Sequence, residues 1–308
     1  MRDETVLYQQ TSDFVSVLAQ CQALGITVVS ARENELILAL PYSEAIIGNP
    51  ESKVIHGGAI TTLMDTAAGA GVLCAMPDFE LCPTLDLRVD YMRSAKPNQR
   101  VFARASCYRV TSNILFMRCE AYQIDRTVAH CVATFVRMGA KGIPNLEVMT
   151  EGFTLPSFPK VNSTEVDFAS VRERAIAKAD NRVLIEAIPY ARHIGIDFVY
   201  SDDTQTFMLT RQAGNIGNPI LPAIHGGVIG GFMELSSALH LLATNAAKTY
   251  PKIIDFSVDY LRAGADTDTF AFCEVTRQGG RVANVEVHAW QECRDEPIAL
   301  ARAHFLLE

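Results

Sequence analysis

The chain has 308 residues, 49% hydrophobic and 20% charged, enough apolar material for two cores. Its formal net charge of −8, without any basic run, argues against a nucleic-acid binder, whose affinity comes from Lys and Arg neutralising phosphates. The polar, charged first ten residues are no secretory signal, and eight cysteines without CxxC spacing read as reduced thiols in a cytoplasm.

In chain order, a short amphipathic helix (Phe14 to Leu24) leads into a strand (Leu36 to Leu40), then a loop carrying Gly48-Asn49-Pro50 and a His56-Gly57-Gly58 turn. The stretch Gly57 to Met76 has the length of a membrane span. Its Gly, Ala and Thr content and its internal Asp65 make it a poor span and a good buried helix, so no membrane association is expected. Period-two alternation follows, with Leu85, Leu87, Val89 and Tyr91 on one face and Asp86, Arg88 and Asp90 on the other. Further strands are expected at Val101 to Val110, Ile114 to Ile124 and Val128 to Met138.

The same series then recurs. Gly48-Asn49-Pro50 returns as Gly217-Asn218-Pro219, His56-Gly57-Gly58 as His225-Gly226-Gly227, and Val89-Asp90-Tyr91 as Val258-Asp259-Tyr260, always 169 positions later. Toward the carboxyl end the offset drifts by one, as small insertions at hairpin turns would cause. A second helix near Arg182 to Arg192, a strand at Thr206 to Leu209 and an alternating run Ile254, Phe256, Val258, Tyr260 complete the second copy. The repeat has the size of a domain rather than of a solenoid unit. We therefore expect domains at 11–138 and 166–308, joined by a Gly- and Pro-containing linker at 139–165. A helix followed by a meander of long antiparallel strands is an α+β layer in which the sheet must cover the helix.

Two features of the repeat carry chemistry. The helix after His-Gly-Gly is apolar on every side, yet each copy places one acid nine residues after the His: Asp65 and Glu234. A carboxyl group there costs several kcal/mol unless it is paired or the site is wet, which makes it a candidate base or nucleophile in a cleft. Paired glycines at a helix start allow close approach, and the free N–H groups of Gly57 and Gly226 can polarise a carbonyl. His56, His225, Asn49 and Asn218 are candidate orienting groups, although Asn-Pro is also a turn signal. Thr84, early in the strand after the helix, could position a water, whereas its counterpart Ile253 could not. No nucleophile elbow, P-loop, dinucleotide fingerprint or metal-ligand spacing occurs.

Gly-Asn-Pro, His-Gly-Gly, the acid at +9 and the strand Thr84-Leu85-Asp86-Leu87-Arg88-Val89-Asp90-Tyr91-Met92-Arg93, in this order and spacing, resemble the PaaI-like group of hot-dog-fold acyl-CoA thioesterases. The resemblance implies two tandem hot-dog domains, each a long central helix wrapped by an antiparallel sheet, packed as a pseudo-dimer. It implies hydrolysis of an acyl-CoA without metal or organic cofactor, with Asp65 and Glu234 as base or nucleophile and the Gly57 and Gly226 amides on the thioester carbonyl. His56, His225, Asn49, Asn218 and Thr84 become supporting groups in sites built between units, and two such chains are expected to pair as a homodimer. CoA brings phosphates, for which Arg93, Lys96, Arg100 and Arg262 are the candidates. A non-catalytic acyl-CoA sensor and a hot-dog dehydratase or hydratase are the alternatives.

Overall fold

In the computed structural model, residues 2–78, 80–139, 161, 166–178, 180–201, 204–218, 222–244 and 247–307 are described. The expected linker therefore lies almost wholly outside the described residues.

The first unit runs α1 (Glu4–Ser16), α2 (Ala19–Leu24), β1 (Thr27–Arg32), β2 (Glu35–Leu40), α3 (Gly57–Ala75), β3 (Thr84–Tyr91), β4 (Val101–Val110), β5 (Ile114–Gln123) and β6 (Arg126–Val136). The second runs α4 (Phe168–Lys178), α5 (Arg182–Ala187), α6 (Pro189–Ile194), β7 (Ile196–Ser201), β8 (Thr204–Leu209), β9 (Ile216–Asn218), β10 (Ala223–Ile224), α7 (Gly226–Ala243), β11 (Lys252–Tyr260), β12 (Thr269–Gln278), β13 (Val282–Trp290) and β14 (Ala299–Leu306). Twelve strands form one antiparallel sheet in the order β1-β2-β4-β5-β6-β3-β11-β14-β13-β12-β8-β7.

The two halves of that sheet join at β3 and β11. Asp86 faces Asp259, Arg88 faces Ser257 and Asp90 faces Asp255. This pairing maps onto itself when each residue is exchanged for its repeat partner, so a pseudo-twofold axis passes through Arg88 and Ser257. Acids facing acids repel, and the neighbours offset this. Arg88 pairs with Asp90 at 2.8 Å, and His304 Nδ1 lies 2.9 Å from Asp255 Oδ1.

Helices α3 and α7 lie side by side inside the sheet, buried almost throughout despite being long and apolar enough to cross a membrane. Their crossing depends on missing side chains. A Cβ on Gly58 would lie 2.6 Å from the Cα of Gly231, and one on Gly227 would lie 2.5 Å from the Cα of Thr62. Arg2 closes the far end of α3, its guanidinium donating to the carbonyls of Leu73, Cys74 and Met76.

Several expected boundaries differ. The first helical segment begins at Glu4, ahead of position 11, with Asp3 capping it through Thr5 N–H at 2.8 Å. The single helix expected over Phe14 to Leu24 is broken at Val17 and Leu18, and α2 ends on left-handed Gly25. The second unit breaks at Ile188 because Pro189 lacks an N–H and pushes its predecessor out of the helical region. Strands β1 and β7, unanticipated, form the two sheet edges.

A bulge corrects the alternation expected of β3 and β11. The register with the neighbouring strand shifts between Thr84 and Asp86, and again between Ile253 and Asp255. Leu85 and Ile254 are consequently 42% and 38% exposed instead of joining the inward row. The same extra residue turns Thr84 and Ile253 toward the helices.

Candidate active site

The loop before each long helix is shaped by its histidine. His56 N–H donates to Ile46 O at 2.9 Å, and His225 N–H to Asn215 O at 2.8 Å. A Cβ on Gly48 would sit 2.8 Å from the His56 Cα, and one on Gly217 would sit 2.6 Å from the His225 Cα, which accounts for the glycine in both Gly-Asn-Pro segments. Each imidazole then caps its helix: Nδ1 accepts from the Gly58 N–H at 2.8 Å in one unit and from the Gly227 N–H at 3.0 Å in the other. An accepting Nδ1 places the proton of the neutral ring on Nε2. Burial pushes His56 down to about 3 and lowers His225 as well, against the pull of Asp65.

The acids cross over between units. Glu234, on α7, stands at the start of α3: a Cβ on Gly57 would overlap its Oε1, which lies 3.8 Å from His56 Nδ1. Asp65, on α3, stands at the start of α7, 3.4 Å from His225 Nδ1 and 3.1 Å from where a Gly226 Cβ would be. Both centres are therefore composite, each taking its acid from one unit and its His-Gly-Gly turn from the other.

They are not equivalent. Thr84, turned inward by its bulge, donates to Asp65 Oδ1 at 2.9 Å. At the Glu234 centre that role passes to Tyr91, whose hydroxyl donates to Oε2 at 2.7 Å and also lies 2.7 Å from Thr61 Oγ1. Position 230, the counterpart of Thr61, is a glycine, and there Tyr260 donates to the Gly226 carbonyl at 2.7 Å instead. Burial pushes the Glu234 carboxyl up to about 8, against the hydrogen bond from Tyr91 and the Gly58 amide. At neutral pH the 3.8 Å contact with His56 thus joins two neutral groups and is no ion pair.

Tyr91, Thr61, Thr66 and Tyr190 are site neighbours that the sequence reading did not single out. Thr66 Oγ1 lies 3.1 Å from His225 Nε2, while Tyr190 stacks on the His56 ring at 4.4 Å. Tyr91 and Tyr260 carried a usable signal, since Asp-Tyr recurs at the common offset and ends the inward row of its strand.

Beside Glu234 opens a cleft of about 320 Å³. His56, Gly57, Tyr91, Arg93, Ala238, Tyr250, Ile253 and Phe305 are among its walls. Asn49 borders it, but its Oδ1 accepts from the Glu51 and Ser52 amides at 2.9 and 3.1 Å, so the turn role holds this acceptor. The side chain of Asn218 lies outside the described residues.

Of the expected phosphate-binding cations, Arg93 lines the cleft and also a shallow outer hollow shared with Arg104, Tyr122 and Arg126. Lys96 is 2.5 Å from Asp125, and Arg262 donates to the Pro297 carbonyl at 2.6 Å. Arg100 is exposed at the end of the turn before β4 and is not among the residues lining the cleft.

Known proteins resemble this chain. The profile of the thioesterase superfamily matches twice, at residues 52–130 and 221–298. A Halobacterium salinarum protein, provisionally named an esterase, is 37% identical over 94 residues, covering 30% of this chain and 61% of its own length. The medium/long-chain acyl-CoA thioesterase YigI of Salmonella typhimurium is 28% identical over 131 residues, covering 37% of this chain and 83% of its own. Two solved structures align along nearly the whole chain. One is a thioesterase, so named provisionally, of Novosphingobium aromaticivorans (TM-score 0.59, 14% identity, 91% of this chain and 98% of that one). The other is the tesB protein of Mycobacterium avium subspecies paratuberculosis (TM-score 0.58, 11% identity, 94% and 98%). At such identities the likeness is one of fold, and it extends over both units. The chain belongs to the thioesterase superfamily and carries that family's hot-dog domain twice in tandem.

Proposed function

We propose that the protein hydrolyses an acyl-CoA to a free acid and CoA at composite sites between its two units. The observation that carries this reading is the crossing of acids: Asp65 stands against His225-Gly226, and Glu234 against His56-Gly57. Thioester hydrolysis needs a base or nucleophile, a donor for the developing oxyanion and an apolar slot. In the Asp65 site the carboxylate, held by Thr84, activates water or attacks the carbonyl carbon directly, while the Gly226 amide at the α7 start polarises the carbonyl oxygen. Nε2–H of His225 donates to Thr66, which fixes the tautomer and keeps the helix cap in place. The thioesterase name of the YigI relative supports an acyl-CoA as substrate. Arg93 at the cleft mouth is suited to CoA phosphate. Free cysteines agree with a cytoplasmic setting, and two chains are proposed to pair as a homodimer.

A panel of acyl-CoAs assayed by free-thiol release tests the reading. Turnover of at least one member, abolished in the double variant Asp65→Asn/Glu234→Gln, is the expected result. Tight binding without thiol release would make the protein a sensor, and loss of an enoyl chromophore without thiol release would make it a hydratase.

A further inference from the structure

We propose that Thr61 is a positioning residue of the Glu234 centre: its hydroxyl turns Tyr91 onto Glu234 and away from the carbonyl of Gly57. The proposal deepens the thioesterase reading and rests on it only for its effect on turnover.

Thr61 lies on α3, one turn beyond the His56-Gly57-Gly58 start, and is fully buried. Its Oγ1 stands 2.7 Å from the Tyr91 hydroxyl, which itself donates to Glu234 Oε2 at 2.7 Å. A phenol has one proton, so while Tyr91 gives it to the carboxylate, Thr61 is the donor between the two hydroxyls. The three groups form a directed chain from Thr61 through Tyr91 to Glu234, in which the first bond polarises the second. That chain holds one carboxyl oxygen. The other, Oε1, is left over Gly57, where a Cβ would overlap it, and becomes the oxygen offered to a substrate.

The duplication shows what the same tyrosine does without that threonine. Tyr91 and Tyr260 both stand over the turn glycine of their own unit, their hydroxyls 3.0 and 3.5 Å from where Cβ atoms on Gly57 and Gly226 would be. Position 230 also faces its tyrosine, since a Cβ there would lie 3.4 Å from the Tyr260 hydroxyl, but a glycine supplies no side-chain donor. Tyr260 gives its proton to the Gly226 carbonyl at 2.7 Å and leaves Asp65 to Thr84. The Gly57 carbonyl is the corresponding acceptor for Tyr91. Donation from Thr61 makes the Tyr91 O–H a stronger donor, and a carboxylate gains more from that than a peptide carbonyl does.

The other titratable groups facing Glu234 are His56 at the α3 start, Tyr190 from α6 and Tyr250 from the segment before β11, with Arg93 and Lys252 along the cleft. Burial keeps the imidazole unprotonated and the phenols, Tyr91 included, protonated near neutral pH, so none of these competes with Glu234 for the proton there.

Infrared titration of the full chain from pH 5 to 10 tests this, reading the carboxylic-acid C=O band that Glu234→Gln removes from each protein. The parent band should fade with a midpoint of about 8. In Thr61→Val the midpoint should rise by about 0.5 to 1 in pH, the scale of one lost hydrogen bond. Thr61→Ala, smaller and likewise without a hydroxyl, should match it, while Thr61→Ser should keep the parent midpoint. In the Asp65→Asn background, Thr61→Val should lower kcat at pH 7 by about three- to tenfold without a comparable change in KM, because less carboxylate is present. A midpoint unmoved in both Thr61→Val and Thr61→Ala would assign the choice to the longer side chain of Glu234 and overturn the proposal, as would a rise that Thr61→Ser shares. A raised midpoint in a protein that releases thiol from no acyl-CoA would keep the positioning role and overturn the thioesterase reading.

Discussion

Exchanging the two acids one at a time separates the composite sites. At pH 7 a carboxyl with a pKa of about 8 is ionised in only about one molecule in ten, so the Glu234 centre forfeits roughly tenfold in active base from protonation alone. Ile253 occupies the Thr84 position, but the Tyr91 hydroxyl holds the Glu234 carboxyl in its place, so protonation is what sets the two centres apart. Asp65→Asn should therefore remove more than about nine-tenths of the turnover at pH 7, whereas Glu234→Gln should cost little on the same substrate. The Asp65→Asn protein should regain activity with rising pH, by roughly tenfold between pH 7 and 9, as Glu234 ionises. Thiol release followed from pH 6 to 9.5, with the double variant as blank, measures both effects. Equal losses from the two single substitutions would refute the inequality of the sites. A flat pH profile for the residual activity of Asp65→Asn would refute the buried, neutral state assigned to Glu234.

Thr84→Val should lower turnover by tenfold or more without a comparable change in KM, and Thr84→Ser should restore most of it, because the hydroxyl held against Asp65 is retained. Gly227→Ala should destabilise the fold by about 1–3 kcal/mol or more in denaturant titrations, since its Cβ would lie 2.5 Å from backbone on the facing helix. Glu234 should contribute a stability that falls as pH rises from about 4.5 to about 8, because the unfolded chain releases its proton near 4.5 while the folded protein holds it to about 8. The buried histidines, lowered by desolvation, act in the opposite sense over the acid part of that range. Glu234→Gln cannot ionise and should lose less melting temperature than the parent between pH 5 and 9, and identical losses would refute this linkage.

The duplication, the two buried helices and their unexpected acids are legible without coordinates because they are local or periodic properties. An offset of 169 repeated over several motifs has no other economical source, and an acid in an all-apolar helix conflicts with its surroundings wherever that helix is placed. Helix breaks and edge strands were less legible. Leu18 is extended without any proline to announce it, and β1 and β7 are defined by a single hydrogen-bonding neighbour at the sheet margin.

The resemblance already implies that each acid serves the turn of the other unit; only the tertiary structure decided at what distance it stands there, and what holds each carboxyl. Sequence spacing places Thr84 and Leu85 on alternate faces but carries no mark of the bulge that reverses them, since a bulge depends on the facing strand. Likewise, Tyr91 becomes a partner of Glu234, 143 positions away, only because β3 and β11 join the two units in one sheet. Order along the chain specifies each copy and its chemistry. The unequal environments of Asp65 and Glu234 arise from long-range packing, where burial and a few hydroxyl groups set the proton affinity of each acid.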